Sequence, residues 1–248
     1  MRLGILPAAG NSERWGGYPK ELLPLPDDLT FLSRAVRSLK ASGCDFTAVI
    51  TNPSKIHLHA YHLKNWGRVL FAIQQGAEMW GAMTTALEVP ADEYYFMMPD
   101  TYIPDHPFPE QVEGDFALGL FPTQEPERFG TLRDGAIVNK QPSVEPCLAW
   151  GALAWKRSVA EYWKDRSYAD YTEAINDAMS RFGFTTWSLS FYHDIGSMSH
   201  YRRFLLAALE ADEAIGEAPP ESELIGHLEE EPPTGVAADP RPSQARTG

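Results

Sequence analysis

The sequence predicts an α/β fold, a mixed and mainly parallel sheet flanked by helices, and three observations carry that prediction. Short apolar runs of strand length are followed by segments with apolar residues at helical intervals, which is the pattern of β-α-β units. The opening stretch from Leu3 to Leu25, LGILPAAGNSERWGGYPKELLPL, starts as an apolar strand and breaks at Ala8-Ala9-Gly10 into a segment too rich in Gly and Pro for a continuous helix. Further on, the run Tyr94 to Met98 ends at Pro99-Asp100-Thr101. That places an acid at the carboxyl end of a strand, where open α/β sheets hold their ligands.

In order, Phe31 to Lys40 spaces Phe31, Leu32, Ala35, Val36 and Leu39 as a helix, with Gly43 to stop it. Phe46 to Thr51 is the second strand, so the first fifty residues form a β-loop-α-β unit with a right-handed crossover. Val69 to Ile73 reads as a strand, then Gln74-Gln75, then a helix from about Trp80-Gly81 to Leu87. From Asp115 to Trp155 the pattern turns to short extended runs, Phe116 to Phe121, Ala136 to Val138 and Leu148 to Trp155. These are expected to add strands beside the first half and to form the other wall of a cleft. Tyr168 to Phe182 reads as a helix stopped by Gly183, Thr185 to Leu189 as a last strand, and Ser199 to Leu209 as a closing helix. Residues 1–210 are thus expected to be one domain. The Glu/Pro-rich segment 211–248 has almost no apolar periodicity and is expected to be disordered.

The 248-residue chain is 44% hydrophobic, enough to bury a full core. Its net charge of −13 is concentrated near the end, since Phe204 to Pro240 holds ten acids and no Lys or Arg. With that stretch and Arg241 and Arg246 removed, residues 1–203 carry only −5. Neither nucleic acid nor an anionic membrane is an expected partner for so mildly acidic a body. Cys44 and Cys147 are too few for a disulfide framework, so a reducing, cytoplasmic setting is expected. No window approaches the roughly 20 apolar residues of a membrane span. A homo-oligomer is left open.

The chemistry starts at the opening loop. Ala8, Ala9 and Gly10 let backbone N–H groups approach an anion, and Arg14 and Lys20 bring two cations close behind them. This is a phosphate-holding arrangement, yet it contains neither GxxxxGK[ST] nor GxGxxG.

Pro7-Ala8-Ala9-Gly10, Arg14 and Pro19-Lys20-Glu21-Leu22-Leu23-Pro24 resemble the opening motif of the sugar-1-phosphate nucleotidyltransferases, the thymidylyl-, uridylyl- and cytidylyltransferases with the GT-A-like, three-layer Rossmann-like fold. Three later stretches match in order. Pro99-Asp100-Thr101 stands where that family has a strand-end metal-binding Asp. Asn139-Lys140-Gln141-Pro142, followed by Trp150-Gly151-Ala152-Leu153, resembles the segments near the sugar phosphate. His193-Asp194-Ile195-Gly196-Ser197 resembles the element that carries the second metal-binding Asp. The resemblance implies an enzyme of the EC 2.7.7 type that moves NMP from an NTP to a phosphorylated acceptor and releases pyrophosphate.

It also implies roles. Arg14 and Lys20 would hold the triphosphate and offset developing charge, and Asp100 and Asp194 would hold Mg²⁺. Lys140 and Gly151 would lie at the acceptor, and Gln74, Gln75 and Gly81 at the base. The shorter gap from Arg14 to Lys20 leaves CTP, UTP and dTTP open. Ser12, Glu13 and Asn139 depart from the family pattern and leave the acceptor open as well. Plainer readings stand beside these: Asp100 and Asp194 as turn or cap acids, Lys140 as an exposed cation, the Gln pair as surface. His57, His59 and His62 read as an exposed helix or loop. Trp80, Trp150 and Trp155 read first as core, with base stacking or a sugar pocket as the alternative. The competing functions are a glycosyltransferase on the same fold, disfavoured because Asp100-Thr101-Tyr102 is not D-x-D, and a non-catalytic nucleotide-binding protein.

Overall fold

The computed structural model describes residues 1–75, 78–103, 107–143 and 145–216, with side chains described through residue 208. The expected disorder of 211–248 lies, from residue 217 onward, outside the described residues.

Strand β1 (Arg2–Pro7) is apolar on both faces, and Leu3, Ile5 and Leu6 are fully buried. Such a strand needs a helical layer on each side. Leu3 and Ile5 enter one layer of core and Leu6 the other. β1 pairs in parallel with β2 (Phe46–Thr51) and with β4 (Glu93–Met97), and β2 pairs in parallel with β3 (Val69–Ile73) at the sheet edge. Helix α1 (Phe31–Ala41) starts at Thr30, where Thr30 and Ser33 form a reciprocal capping box. It packs Leu32, Val36 and Leu39 against the Leu6 face. Helix α2 (Ile56–His62) follows β2, and α3 (Glu78–Leu87) follows β3.

The extended runs after residue 115 continue the same sheet. β6 (Phe116–Thr123) and β4 both pair antiparallel with β9 (Cys147–Lys156), and β10 (Thr185–Ser188) pairs in parallel with β6. β7 (Gly130–Arg133) and β8 (Ala136–Asn139) form a hairpin across Asp134-Gly135, both at positive φ as a primed two-residue turn requires. Among the described residues the order is β10-β6-β9-β4-β1-β2-β3, with β7 and β8 beside β9. The fold is therefore the expected mixed α/β sheet between helices. Helices α3, α4 (Arg157–Lys164) and α5 (Tyr171–Phe182) cover the Leu3 face with Met83, Val159, Trp163 and Ile175.

Several expectations need correction. Helix α4 falls where no element was expected, because Val159, Ala160 and Trp163 form a buried stripe directly after β9 with no Gly or Pro between them. Helix α5 starts at Tyr171 and not Tyr168, because the Asp170 carboxylate accepts from the N–H groups of Thr172 and Glu173 and fixes the N-cap. α3 starts two residues before the expected Trp80. The closing helix α6 (Met198–Gly216) runs past Leu209 through Ala- and Glu-rich sequence that favours helix. The short strands β5 (Thr101–Tyr102) and β11 (His193–Asp194) pair antiparallel, so Asp194 sits opposite Thr101.

Candidate functional site

The loop after β1 is anchored from behind. Ala8 N–H donates to the Ile50 carbonyl at 2.7 Å, and the Asn52 side-chain amide donates to the Ala9 carbonyl at 2.7 Å. In front, a Cβ built on Gly10 meets no atom within 4 Å, so the loop is open on that side. Ser12 takes a left-handed conformation with φ 53° and ψ 38°, a geometry that Gly adopts more readily than Ser. A 3₁₀ turn over Glu13–Trp15 follows, with Glu13 and Arg14 both exposed, and a second over Lys20–Leu22.

Four residues from three distant segments converge beyond this loop. The Lys20 ammonium forms an ion pair with Asp100 Oδ2, and Asp100 is 4% exposed. The other Asp100 oxygen, Oδ1, is buried without a hydrogen-bond partner among the described residues. The β5–β11 pairing brings in Asp194, and the Ile195 N–H donates to the Asp100 carbonyl at 3.4 Å. Gly196 permits the approach, since a Cβ there would lie 2.8 Å from Asp194 Oδ2 and 3.6 Å from Arg14 Nη1. Electrostatics register the crowding. Burial, reinforced by the Asp194 charge, pushes the Asp100 carboxyl above its ordinary value although Lys20 pulls it down. For Lys20, burial would lower the pKa, but Asp100 and then Asp194 outweigh it and the ammonium is held above its ordinary value.

The remaining expected residues are carried by other elements. Gln74 and Gln75 follow β3: Gln74 Nε2 donates to the Glu78 carbonyl at 3.0 Å, and Gln75 N–H donates to Thr85 Oγ1 at 2.8 Å. Gly81 is buried within α3, and its carbonyl accepts from Thr84 and Thr85. Lys140 is exposed after β8 at φ 49°, with its N–H on the Phe129 carbonyl at 2.9 Å. No hydrogen bond or ion pair joins the Lys140 side chain to Asp100 or Asp194 among the described residues. Gly151 lies buried in β9, where a Cβ would be 2.5 Å from the Tyr192 ring, one residue from β11. Trp80, Trp150 and Trp155 are core residues, all 8% exposed or less.

Two groups escaped the sequence reading. Arg128, at the end of a 3₁₀ turn over Pro126–Arg128, places Nη2 2.7 Å from Asp194 Oδ2 and 3.0 Å from His200 Nδ1. A Pro-started turn ending in Arg just before β7 was the available signal. The second group corrects the reading of His59 as exposed: it is fully buried, with Nδ1 2.8 Å from Thr51 Oγ1 and Nε2 2.9 Å from Glu21 Oε1. Lys55, 4% exposed, donates to the same Glu21 oxygen at 2.9 Å. Glu21, a charged residue inside an apolar Leu/Pro run, was the clue that a buried partner was needed.

Among the described residues no group of three or more His, Cys, Asp or Glu side chains is placed to hold a metal. Asp100 and Asp194 are only two hard oxygen donors. That set suits Mg²⁺, which takes one or two protein carboxylates and completes its shell with water and substrate phosphates. The partnerless buried Oδ1 of Asp100 is the atom with acceptor capacity to spare.

Comparison with known proteins agrees with the geometry. Residues 4–113 match the family model described as MobA-like NTP transferase domain. The fold resembles a putative glucose-1-phosphate thymidylyltransferase from Bacillus anthracis, with a TM-score of 0.74 at 20% identity over 84% of this chain and 95% of that one. It also resembles the UDP-glucose pyrophosphorylase of Acinetobacter baumannii (0.69, 16%, covering 87% and 98%) and the inositol-1-phosphate CTP transferase of T. maritima (0.66, 15%, covering 84% and 95%). No curated protein matches in sequence. No helix among the described residues is long and apolar enough to cross a membrane.

Proposed function

We propose that this chain, whose residues 4–113 match the model of a MobA-like NTP transferase domain, transfers a nucleotidyl group from an NTP to a phosphorylated small molecule, with a sugar 1-phosphate as the first candidate. A phosphate oxygen of the acceptor attacks the α-phosphorus, the α–β bridging bond breaks, and pyrophosphate leaves. The attacking oxygen is already ionised at neutral pH, so no general base is needed. The barrier comes from bringing two anions together while charge builds on the leaving group. The convergence of Arg14, Lys20, Asp100 and Asp194, the first two carried by the segment that follows the open Ala8–Gly10 loop, is the observation that supports this reading.

In this reading the N–H groups of the loop, with Arg14 and Lys20, bind and orient the triphosphate. Asp100 and Asp194 hold Mg²⁺, which when bound polarises the phosphates and offsets their charge. Arg128 orients the Asp194 carboxylate. Lys140 and Gly151 belong to the acceptor side, and Gln74, Gln75 and Gly81 to the base, where a Gln amide can pair with the edge of a pyrimidine from CTP, UTP or dTTP. The named activities of the structural relatives, on glucose 1-phosphate and inositol 1-phosphate, support a phosphorylated polyol or sugar as acceptor. The direct test is pyrophosphate release across a grid of NTPs and phosphorylated acceptors with Mg²⁺. At least one pair is expected to turn over in the wild type and none in Asp100→Ala. Silence across the grid from a protein that binds NTP would overturn the reading.

A further inference from the structure

The buried Lys55 is a charged group that the reaction as described does not use, and its contacts are specific. Besides Glu21 at 2.9 Å, its ammonium reaches the Ala8 carbonyl at 3.4 Å and Ser12 Oγ at 3.5 Å. Three residues earlier, Asn52 holds the Ala9 carbonyl and turns its own Oδ1 back on the N–H groups of Ser54 and Lys55, both at 3.0 Å. One tight turn, Asn52 to Lys55, therefore grips two consecutive carbonyls of the opening loop.

Peptide planarity gives this grip a direction. In a trans peptide the N–H points opposite to the C=O of the same unit. With the Ala8 and Ala9 carbonyls turned inward onto Lys55 and Asn52, the N–H groups of Ala9 and Gly10 are turned the other way, away from those two side chains. Glu21 extends the same frame to the Lys20-bearing turn, because Glu21 is the next residue and is itself held by Lys55 and by His59, whose other nitrogen meets Thr51. Burying an ammonium and a carboxylate is costly unless partners replace the lost water, and here the Lys55 ammonium has three acceptors and Glu21 Oε1 two nitrogen partners.

We infer that Lys55, with Asn52, is a positioning residue for NTP binding: it aims the N–H groups of Ala9 and Gly10 and fixes the turn that carries Lys20. The inference rests on the triphosphate reading of the loop. It is tested with Lys55→Met combined with Glu21→Gln, which removes both buried charges together, and separately with Asn52→Asp, which keeps the Oδ1 acceptor but loses the donor to Ala9. Binding of ATP, GTP, CTP, UTP and dTTP is measured by calorimetry without acceptor, at a temperature where circular dichroism shows each variant folded. Where a substrate pair is known, KM is measured for each substrate. The expected result is an NTP affinity lowered about tenfold or more, the scale of losing a hydrogen bond from a charged donor, with KM rising for the NTP and not for the acceptor. Folded variants that bind NTP as tightly as the wild type, even with a lower melting temperature, would overturn the positioning role and leave the nucleotidyltransferase reading intact. A wild type that binds none of the five would overturn both.

Discussion

Gly196 is where a single atom decides the most. An added methyl would lie 2.8 Å from Asp194 Oδ2, a distance at which the carboxylate must move. The same Asp194 oxygen is held by Arg128 at 2.7 Å, so moving it disturbs that ion pair. Gly196→Ala is expected to lower kcat at least tenfold, with Mg²⁺ or Mn²⁺ affinity reduced in parallel, while thermal stability changes by less than about 1 kcal/mol. Titration of Mn²⁺ by electron spin resonance checks the metal arm without turnover. Glu21 yields a second prediction at this scale. Burial pushes its carboxyl up, but the hydrogen bond with His59 and the charge and hydrogen bond of Lys55 outweigh that and hold it below its ordinary 4.5. On acidification the unfolded chain therefore takes up the proton first. The stabilisation is complete above about pH 4.5 and is lost as the pH falls from there through the lower folded value. Urea midpoints measured from about pH 6 down to pH 3 should fall more steeply in the wild type than in the Lys55→Met, Glu21→Gln variant.

At the scale of elements, stability lies in caps and close contacts that can be removed singly. Asp170 satisfies two of the N–H groups that open α5, so Asp170→Ala is expected to cost about 1 kcal/mol, read as a melting temperature lowered by about 2–4 °C. Gly151→Ala tests a contact inside β9. The new methyl would meet the Tyr192 ring at 2.5 Å, and that ring lies flat on Phe121 with centroids 4.1 Å apart, so it has nowhere to retreat. A loss of about 1–3 kcal/mol is expected. What was legible in the sequence follows the same division. β1, α1, β2 and β3 were readable because each is a periodic run with its own stop signal. Helix α4 was not, because it begins where β9 ends and its eight residues show only two turns of periodicity. β5 and β11 were invisible as two-residue strands; their pairing exists only because the chain between them folds around the sheet. The motif placed Arg14, Lys20, Asp100 and Asp194 in order along the chain. It could not show Lys55 or His59, whose partner Glu21 lies 34 and 38 residues away, since a Lys or His beside polar neighbours reads as surface until its partner is known.

For the whole molecule, the central question is which part of the chain the fold and the site need. The sheet, both core layers, and all of Arg14, Lys20, Asp100 and Asp194 lie within residues 1–208, one compact unit. Of α6, the described apolar contacts are made early: Tyr201 and Phe204 pack on Phe31 and Ile195, and the Tyr201 hydroxyl donates to the Pro24 carbonyl at 2.7 Å. Those contacts tie the helix to the Lys20 segment and to the residue beside Asp194, so the start of α6 belongs to the site. The residues after Gly216 hold seven acids against two arginines and so account for −5 of the net −13. We propose residue 210 as the domain boundary, with the acidic segment beyond it a solvating extension. Ending the chain after Gly216 is then expected to leave the melting temperature within about 2 °C and kcat/KM within about twofold of the full chain, and to shift elution on an anion exchanger to lower salt. By contrast, ending it before Tyr201 would remove the Phe31–Tyr201–Phe204 packing and is expected to lower both stability and activity. Parallel melting curves and pyrophosphate assays on the two truncations separate these outcomes, and a large loss in the first would place part of the working domain beyond residue 216.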